Sequence, residues 1–154
     1  MTIIRRIIVC AVLSVATIGT VAGTSEDPAS RLVHVRSLRC TYTSEVETWV
    51  KKGHRTVEQS TTKDTVTYDN IDLAKGTVRS IANGGASDLK VWMDEYGDLR
   101  MLAGRRPLSV LIVTVFPVYA EGTDQFVVLE SDHWLSPAGN VLGTESYGTC
   151  VVSQ

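Results

Sequence analysis

The chain has 154 residues, of which 15 are Lys or Arg and 17 are Asp or Glu, giving a formal net charge of −2. This acidic balance, without a basic stripe interleaved with aromatic residues, argues against a nucleic acid as partner. The length predicts one domain built around one hydrophobic core.

The amino-terminal residues are typical of a secretory signal peptide. Arg5 and Arg6 precede an uncharged apolar run, which ends in small residues at Gly23. An uncleaved membrane anchor is the alternative, although a spanning helix needs about 20 apolar residues and this run is a little shorter. We predict a signal peptide over residues 1–23, an N-terminal segment over 24–36 and a single β domain over 37–154. The protein would then be secreted or periplasmic, with no transmembrane span once the signal is cleaved.

The cysteines are few enough to predict their pairing. Cys10 lies in the predicted signal peptide, so the exported chain keeps Cys40 and Cys150. Disulfides form in oxidising compartments, and two cysteines allow one intramolecular connectivity. The sequence therefore predicts a Cys40–Cys150 disulfide that joins the first strand to the last, with an intermolecular disulfide or two free thiols as alternatives.

After one helical turn expected within Asp27 to Val33, the chain shows short alternating runs separated by Gly, Asn and Asp, as all-β proteins do. Residues 38–43 alternate Leu38, Cys40 and Tyr42 against polar neighbours. The stretch "TVTYDNIDLAKGTVRSI" predicts two strands around the turn "AKG". A hairpin is expected around "DEYGD". The glycine-containing stretch 83–88 is interpreted as a turn, because it lacks the strand–turn–helix context of a phosphate loop.

The most apolar run of the predicted β domain is "LSVLIVTVFPVY", residues 108–119, whose two faces are both hydrophobic. β-Branched residues and Pro117 disfavour a helix, and a strand covered on both sides would have this composition. If one face of the run lies in the core, the N-terminal segment, a partner chain or a lipid-like molecule would have to cover the other. Two further strands are expected on either side of "SPAGN".

These elements predict an all-β fold. Consecutive strands with short links form an antiparallel meander, and about eight such strands commonly close into a barrel, which removes exposed sheet edges. We predict a closed or nearly closed barrel of about eight strands. A two-sheet β-sandwich is the alternative.

The polar residues do not form a recognisable catalytic or metal site. Ser131, Asp132 and His133 are adjacent, so strand alternation sends Asp132 to the opposite face and they cannot form a triad by themselves. No G-x-S-x-G elbow is present. His34, His54 and His133 lack the spacing of metal ligands. We assign no catalytic residue, metal ligand or cofactor, and a hydrolase is the least favoured class.

A binding function is the better hypothesis. If Val127, Leu129 and His133 point inward, His133 would orient a ligand in an otherwise apolar cavity. The aromatic residues would then line the cavity, or else simply fill the core. The candidate ligand-binding residues are His133, Trp134, Trp92, Trp49 and Tyr68. We predict an exported binding protein for an apolar small molecule or lipid; the alternative is a protein–protein interaction module of the cell envelope, of open oligomeric state.

Three segments carry a resemblance to known proteins. "YDNIDLAKGTVRSIANGGASDLKV", "SDHW" and the near-terminal "YGTC" resemble a family of small exported bacterial proteins that share an "ID…GTAR…G" segment. Val78 stands where that pattern has Ala. The resemblance spans residues 38–150 and implies export and β-structure, but it supplies no catalytic residues. A likeness to lipocalin-type barrels is one of architecture, since the chain lacks a G-x-W signature near the start of the β domain.

Overall fold

The computed structural model describes residues 27–106, 109–136 and 140–153. The predicted signal peptide, residues 1–23, lies outside the described residues, as does part of the "SPAGN" turn. The elements, in chain order, are α1 (Pro28–Val33), β1 (Leu38–Lys51), β2 (His54–Asp72), β3 (Thr77–Ala82), β4 (Gly85–Met93), β5 (Leu99–Arg106), β6 (Ser109–Tyr119), β7 (Phe126–Leu135) and β8 (Val141–Val152).

The strands form a closed antiparallel barrel in which each pairs with its neighbours in the chain and β8 pairs with β1. The predicted barrel is therefore confirmed, and the two-sheet sandwich is wrong. The turn predicted over residues 83–88 is shorter in the structure, because β3 ends at Ala82 and β4 begins at Gly85.

The predicted disulfide links the two strands that close the barrel. Cys40 lies directly opposite Cys150 in the register between β1 and β8, with their Cα atoms 4.0 Å apart. Both cysteines are fully buried. The disulfide therefore lies on the inner side of the β1–β8 pair, which we call the seam, and it joins the first strand to the last.

One half of the barrel is filled by apolar side chains, because the inner positions of the strands there carry Leu, Val, Ile, Met and aromatic residues. Leu38, Leu99, Met101 and Phe126 are each 0% exposed. This close packing leaves the interior of this half occupied by the chain's own side chains. We call it the closed half.

Helix α1 packs at the end of the closed half. The Asp27 side chain accepts a hydrogen bond from the Ser30 backbone N–H (3.1 Å), and Pro28 stands in the first turn, so the helix is capped. Leu32 joins the barrel core, and the Arg31 guanidinium lies over the rings of Tyr119 and Phe126. The helix predicted within Asp27 to Val33 is thus present and adds to the core.

Strand β6 is buried continuously on only one of its two faces. Leu111, Val113 and Val115 point into the core and are fully buried, whereas Val110 on the other face is 44% exposed. Helix α1 contacts β6, but it adds its buried side chains to the core and does not cover this outer face. The expected cover over the outer face of 108–119 is thus not supplied by the described part of the N-terminal segment.

The strands extend unevenly beyond the closed half. β1 and β2 pair as far as Lys51 and His54, and β8 pairs with β1 up to Val50. In contrast, the described pairing of β3 with β2 runs only from Thr67 to Asp72. The result is a curved sheet, formed by β6, β7, β8, β1 and β2, whose concave side is open to solvent. We call this the open half.

The turn between β4 and β5 is organised by one carboxylate. Asp94 accepts hydrogen bonds from the backbone N–H groups of Tyr96 (2.9 Å) and Asp98 (3.0 Å) and from the Arg100 side chain (3.0 Å). Partial burial acts to raise its pKa, but these hydrogen bonds and the Arg100 charge outweigh it and lower the pKa below the usual range.

This turn predicts a pH dependence of stability. Because folding lowers the Asp94 pKa, the ionised form contributes stability above its usual pKa of about 3.9, and that contribution is lost as the pH falls through the lower folded-state value. In urea unfolding, Asp94→Asn should therefore be less stable than wild type at pH 6, and the difference should shrink at pH 3 and below. A difference independent of pH would contradict this role for the charge.

Candidate functional site

A β-bulge in β1 determines which side chains face the open half. The register of β1 shifts between Tyr42 and Ser44 against both β2 and β8, so Thr43 is an extra residue in the ladder with β8. Such a bulge reverses the alternation, because one inserted residue moves every following side chain to the other face. Before it, even-numbered residues face inward; after it, Glu45, Glu47 and Trp49 do.

The inner side of the open half is strongly acidic. The register places Glu45 opposite Ser146 and Glu47 opposite Thr144, while Ser146 and Thr144 lie opposite the β7 carboxylates at 130 and 132. On the other side, Glu47 lies opposite Glu58 of β2. We call this surface the acidic trough; its residues are Glu45, Glu47, Glu58, Asp64, Glu130 and Asp132, with Trp49 and Trp134 at its outer end.

The trough contains carboxylates that are in no ion pair with another described side chain. Glu47 and Glu58 are directly opposed, an arrangement of like charges that destabilises a strand pair. Neither of them, nor Asp64, takes part in an ion pair among the described residues. A cation placed between these carboxylates would relieve their repulsion.

The floor of the trough is a buried hydrogen-bond chain. The Tyr68 hydroxyl donates to the Glu130 carboxylate (3.1 Å), so the Tyr42 hydroxyl, 3.0 Å from that of Tyr68, acts as donor to it. Burial raises the pKa of Tyr42, and the neighbouring Tyr68 and Glu130 raise it further. The Tyr42 phenol therefore stays neutral, and the two hydrogen-bonded tyrosines form a polar boundary between the apolar core and the acidic trough.

The outer end of the trough carries an aromatic row. Trp49 lies opposite Leu142, and Leu142 lies opposite Trp134, so three large side chains cross adjacent strands on the inner face. Trp49 is 37% exposed, and its indole N–H donates to Glu47 (3.2 Å). Aromatic faces next to carboxylates are a favourable environment for an organic cation.

Two cavities occur along the trough. One, of about 220 Å³, lies above the tyrosine floor and is lined by Tyr42, Glu45, Asp64, Glu130 and Ser146, together with residues 82–84. The other, of about 530 Å³, lies at the tip of the β1–β2 hairpin; Trp49, Lys51, Lys52, His54, Thr56, Glu58 and Asn140 line it. The trough therefore runs from an acidic interior to a tip that carries basic residues.

A larger cavity, of about 830 Å³, lies at the other end of the barrel, between the end of α1 and the β2–β3 turn. Its long charged side chains are engaged within the chain: Arg36 donates to the Ile71 carbonyl (3.2 Å), and Asp72 pairs with Lys75 (2.7 Å). The Lys75 hydrogen bond lowers the pKa of the Asp72 carboxyl. Volume alone does not make this cavity the better candidate site.

The structure brings together some of the residues proposed from the sequence and separates others. Trp49 and Trp134 share the inner face of the trough, and Tyr68 forms its floor. Trp92 is 42% exposed on the outer face of β4. His133 is also exposed, because Phe126 and Val128 point inward and the alternation sends His133 outward over Gly143. The condition under which His133 would orient a ligand inside the barrel is therefore not met.

The carboxylates of the trough were not predicted from the sequence as ligand-binding residues. "SEVETW" contains the signal, since Glu45, Glu47 and Trp49 recur with period two. Period two shows that the three residues share a face, but not that this face lies inside a barrel. Among the described residues, no group of three His, Cys, Asp or Glu side chains is arranged to hold a metal ion.

Comparison with protein-family models and with curated proteins identifies no relative of this chain. No protein-family model matches the chain, and no significant match is found among curated proteins. The fold and the site define a closed, disulfide-linked eight-stranded β-barrel with an acidic open half. None of the described helices is long and apolar enough to span a membrane.

Proposed function

We propose that this protein is an exported binding protein that holds a positively charged ligand in the acidic trough. The observation that carries the proposal is the direct opposition of Glu47 and Glu58 on an inner face that is open to solvent. Carboxylates grouped on a concave surface attract cations more strongly than scattered surface charges do. The buried disulfide supports export, since such bonds persist in oxidising compartments.

The chemistry of the trough favours an organic cation. Its carboxylates are distributed over β1, β2 and β7 and do not converge on one point. A ligand with several separated amino or guanidinium groups matches that distribution. The flanking Trp49 and Trp134 would contact the cation or its alkyl parts.

An apolar ligand has less support. The apolar part of the interior is filled by the chain's own side chains, and the two cavities along the trough are lined mainly by charged and polar residues, with Trp49 in one and Val66 and Ala82 in the other as apolar members. A lipid-like molecule would have to displace packed residues such as Leu111 or Phe126. The closed half is thus better explained as a core than as a binding cavity.

Binding of spermidine, a flexible organic trication, tests the proposal. We expect saturable binding followed by the fluorescence of Trp49 and Trp134, in a Trp92→Phe background that removes the outward-facing indole. Affinity should fall as salt is raised, because the contacts are ionic. Glu47→Gln combined with Glu58→Gln should weaken binding by at least about tenfold, since a hydrogen bond to a charged group contributes about 1.5 to 3 kcal/mol.

A matched control is available at the opposite end of the barrel. Glu95→Gln combined with Glu121→Gln likewise removes two negative charges, from the exposed β4–β5 and β6–β7 turns, and should leave spermidine affinity unchanged. Equal losses in the control and in the trough variant would show that only net charge matters. Failure of spermidine to bind, together with saturable uptake of an apolar dye, would restore the apolar-ligand hypothesis.

A further inference from the structure

Strand β2 has a long free edge beside the acidic trough. Within residues 54–63, His54 to Thr61 pair with β1 on one side, whereas the described pairing of β2 with β3 begins only at Thr67. On the free side of this stretch no backbone hydrogen bond to another described strand is present. An exposed edge of this kind is a template for the addition of another strand.

Two features of the edge favour such pairing. The stretch "HRTVEQSTTK" contains no proline and is rich in threonine, which suits an extended chain. Its register with β1 is continuous from Thr61 to His54, without a bulge. Lys63 is the only lysine of the stretch, and it alternates to the outer side, away from the trough. A neighbouring strand could therefore lie along most of this edge.

We propose that the partner is an extended basic segment of a polypeptide, which pairs as an added strand with residues 54–63 of β2 and places its Lys or Arg side chains in the acidic trough. This inference rests on the proposed function and names the class of ligand. Backbone hydrogen bonds to the edge would supply affinity, and the carboxylates would select for basic side chains at alternate positions.

The spacing of the carboxylates supports an extended peptide over a compact cation. Glu45 and Glu47 are two residues apart on one strand, which corresponds to about 6.8 Å along the sheet. Alternate side chains of an extended peptide have the same repeat. A strand added to β2 would meet Glu58 in the first row of the trough, and long basic side chains would reach Glu47 in the second.

The charges also limit where the segment would lie. Lys51 and Lys52 line the cavity at the hairpin tip and would repel basic side chains there. Glu58 and Asp64 attract them further along β2. The basic residues of the partner should therefore face positions 56–64, and the end of the segment near the tip should be neutral or acidic.

A pair of synthetic peptides tests the inference. The first is as long as the edge and alternates Lys with Thr; the second has the same sequence but a methyl group on every backbone nitrogen, so it keeps its charges and cannot donate backbone hydrogen bonds. We expect the first peptide to bind at least about tenfold more tightly than the second, because several backbone hydrogen bonds are lost. Hydrogen exchange within residues 54–63 should slow only with the first peptide.

The outcomes separate this inference from the proposed function. If spermidine and both peptides bind with no protection of residues 54–63, strand addition is overturned while cation binding stands. If neither spermidine nor either peptide binds, both proposals fail. If residues 54–63 are already protected at high protein concentration without peptide, a second copy of the chain occupies the edge, and the basic-segment proposal is wrong.

Discussion

The double variant Cys40→Ala/Cys150→Ala is expected to lose about 4 to 5 kcal/mol of unfolding free energy, because the disulfide closes a loop of 110 residues in the unfolded chain. That loss is a large share of the about 5 to 15 kcal/mol typical of folded domains. The bond also lies on the seam between β1 and β8, where the barrel closes. Urea unfolding of the oxidised wild type and the variant measures the difference.

Reduced wild-type protein separates the cross-link from the packing. It retains both buried sulfur atoms but lacks the bond, so it should show most of the same loss. The alanine variant should be slightly less stable still, because it also leaves a small cavity. A loss below about 1 kcal/mol in the reduced protein would contradict an important role for the cross-link.

Gly148→Ala is expected to destabilise the pairing of β1 with β8 at the same seam. Gly148 lies opposite Tyr42, next to the bulge at Thr43, and an added Cβ would collide with the Thr41 carbonyl oxygen and lie 2.8 Å from the Tyr42 Cα. These are backbone atoms, which cannot rotate aside as a side chain can. We expect a loss of about 3 kcal/mol, the upper end of the usual cost of overpacking, measured as a lowered midpoint of urea unfolding.

Gly143→Ala on the same strand is the matched control. Its added Cβ would lie 3.6 Å from the His133 ring, an ordinary contact with a side chain at the exposed surface. This variant should remain close to wild type in stability, since Ala restricts the unfolded chain more than Gly does. Similar stability of the two variants would show that the close approach at Gly148 does not limit the seam. If Gly148→Ala fails to fold while Gly143→Ala folds normally, the prediction is confirmed in its strongest form.

Much of the fold was predictable from local pattern. Alternation in "LRCTYT" placed Leu38, Cys40 and Tyr42 on one face, and that face is the buried one. The turn "AKG" separates β2 from β3 as expected. Closure of the meander into a barrel and the disulfide both follow from the same requirement, since the first and last strands must meet.

The candidate site was much less predictable, because it depends on which face of each strand lies inside. On β7 the sequence allowed two assignments, one with His133 inside and one with Trp134 inside; the buried Phe126 and Val128 decide for the second. On β1 the bulge at Thr43 places Glu45 on the inner side. Uninterrupted alternation from Tyr42 would have placed Glu45 outside with Thr43.

By itself, the sequence determined the β-structure, the approximate number of strands and the pairing of Cys40 with Cys150, because alternation, turn residues and cysteine count are local or combinatorial signals. Only the tertiary structure decided that the barrel has a filled half and an open half. It did so through strand length and register, since β1 and β2 extend past β3 and one extra residue turns Glu45, Glu47 and Trp49 inward. Those properties arise from pairing between distant segments, which no local pattern encodes.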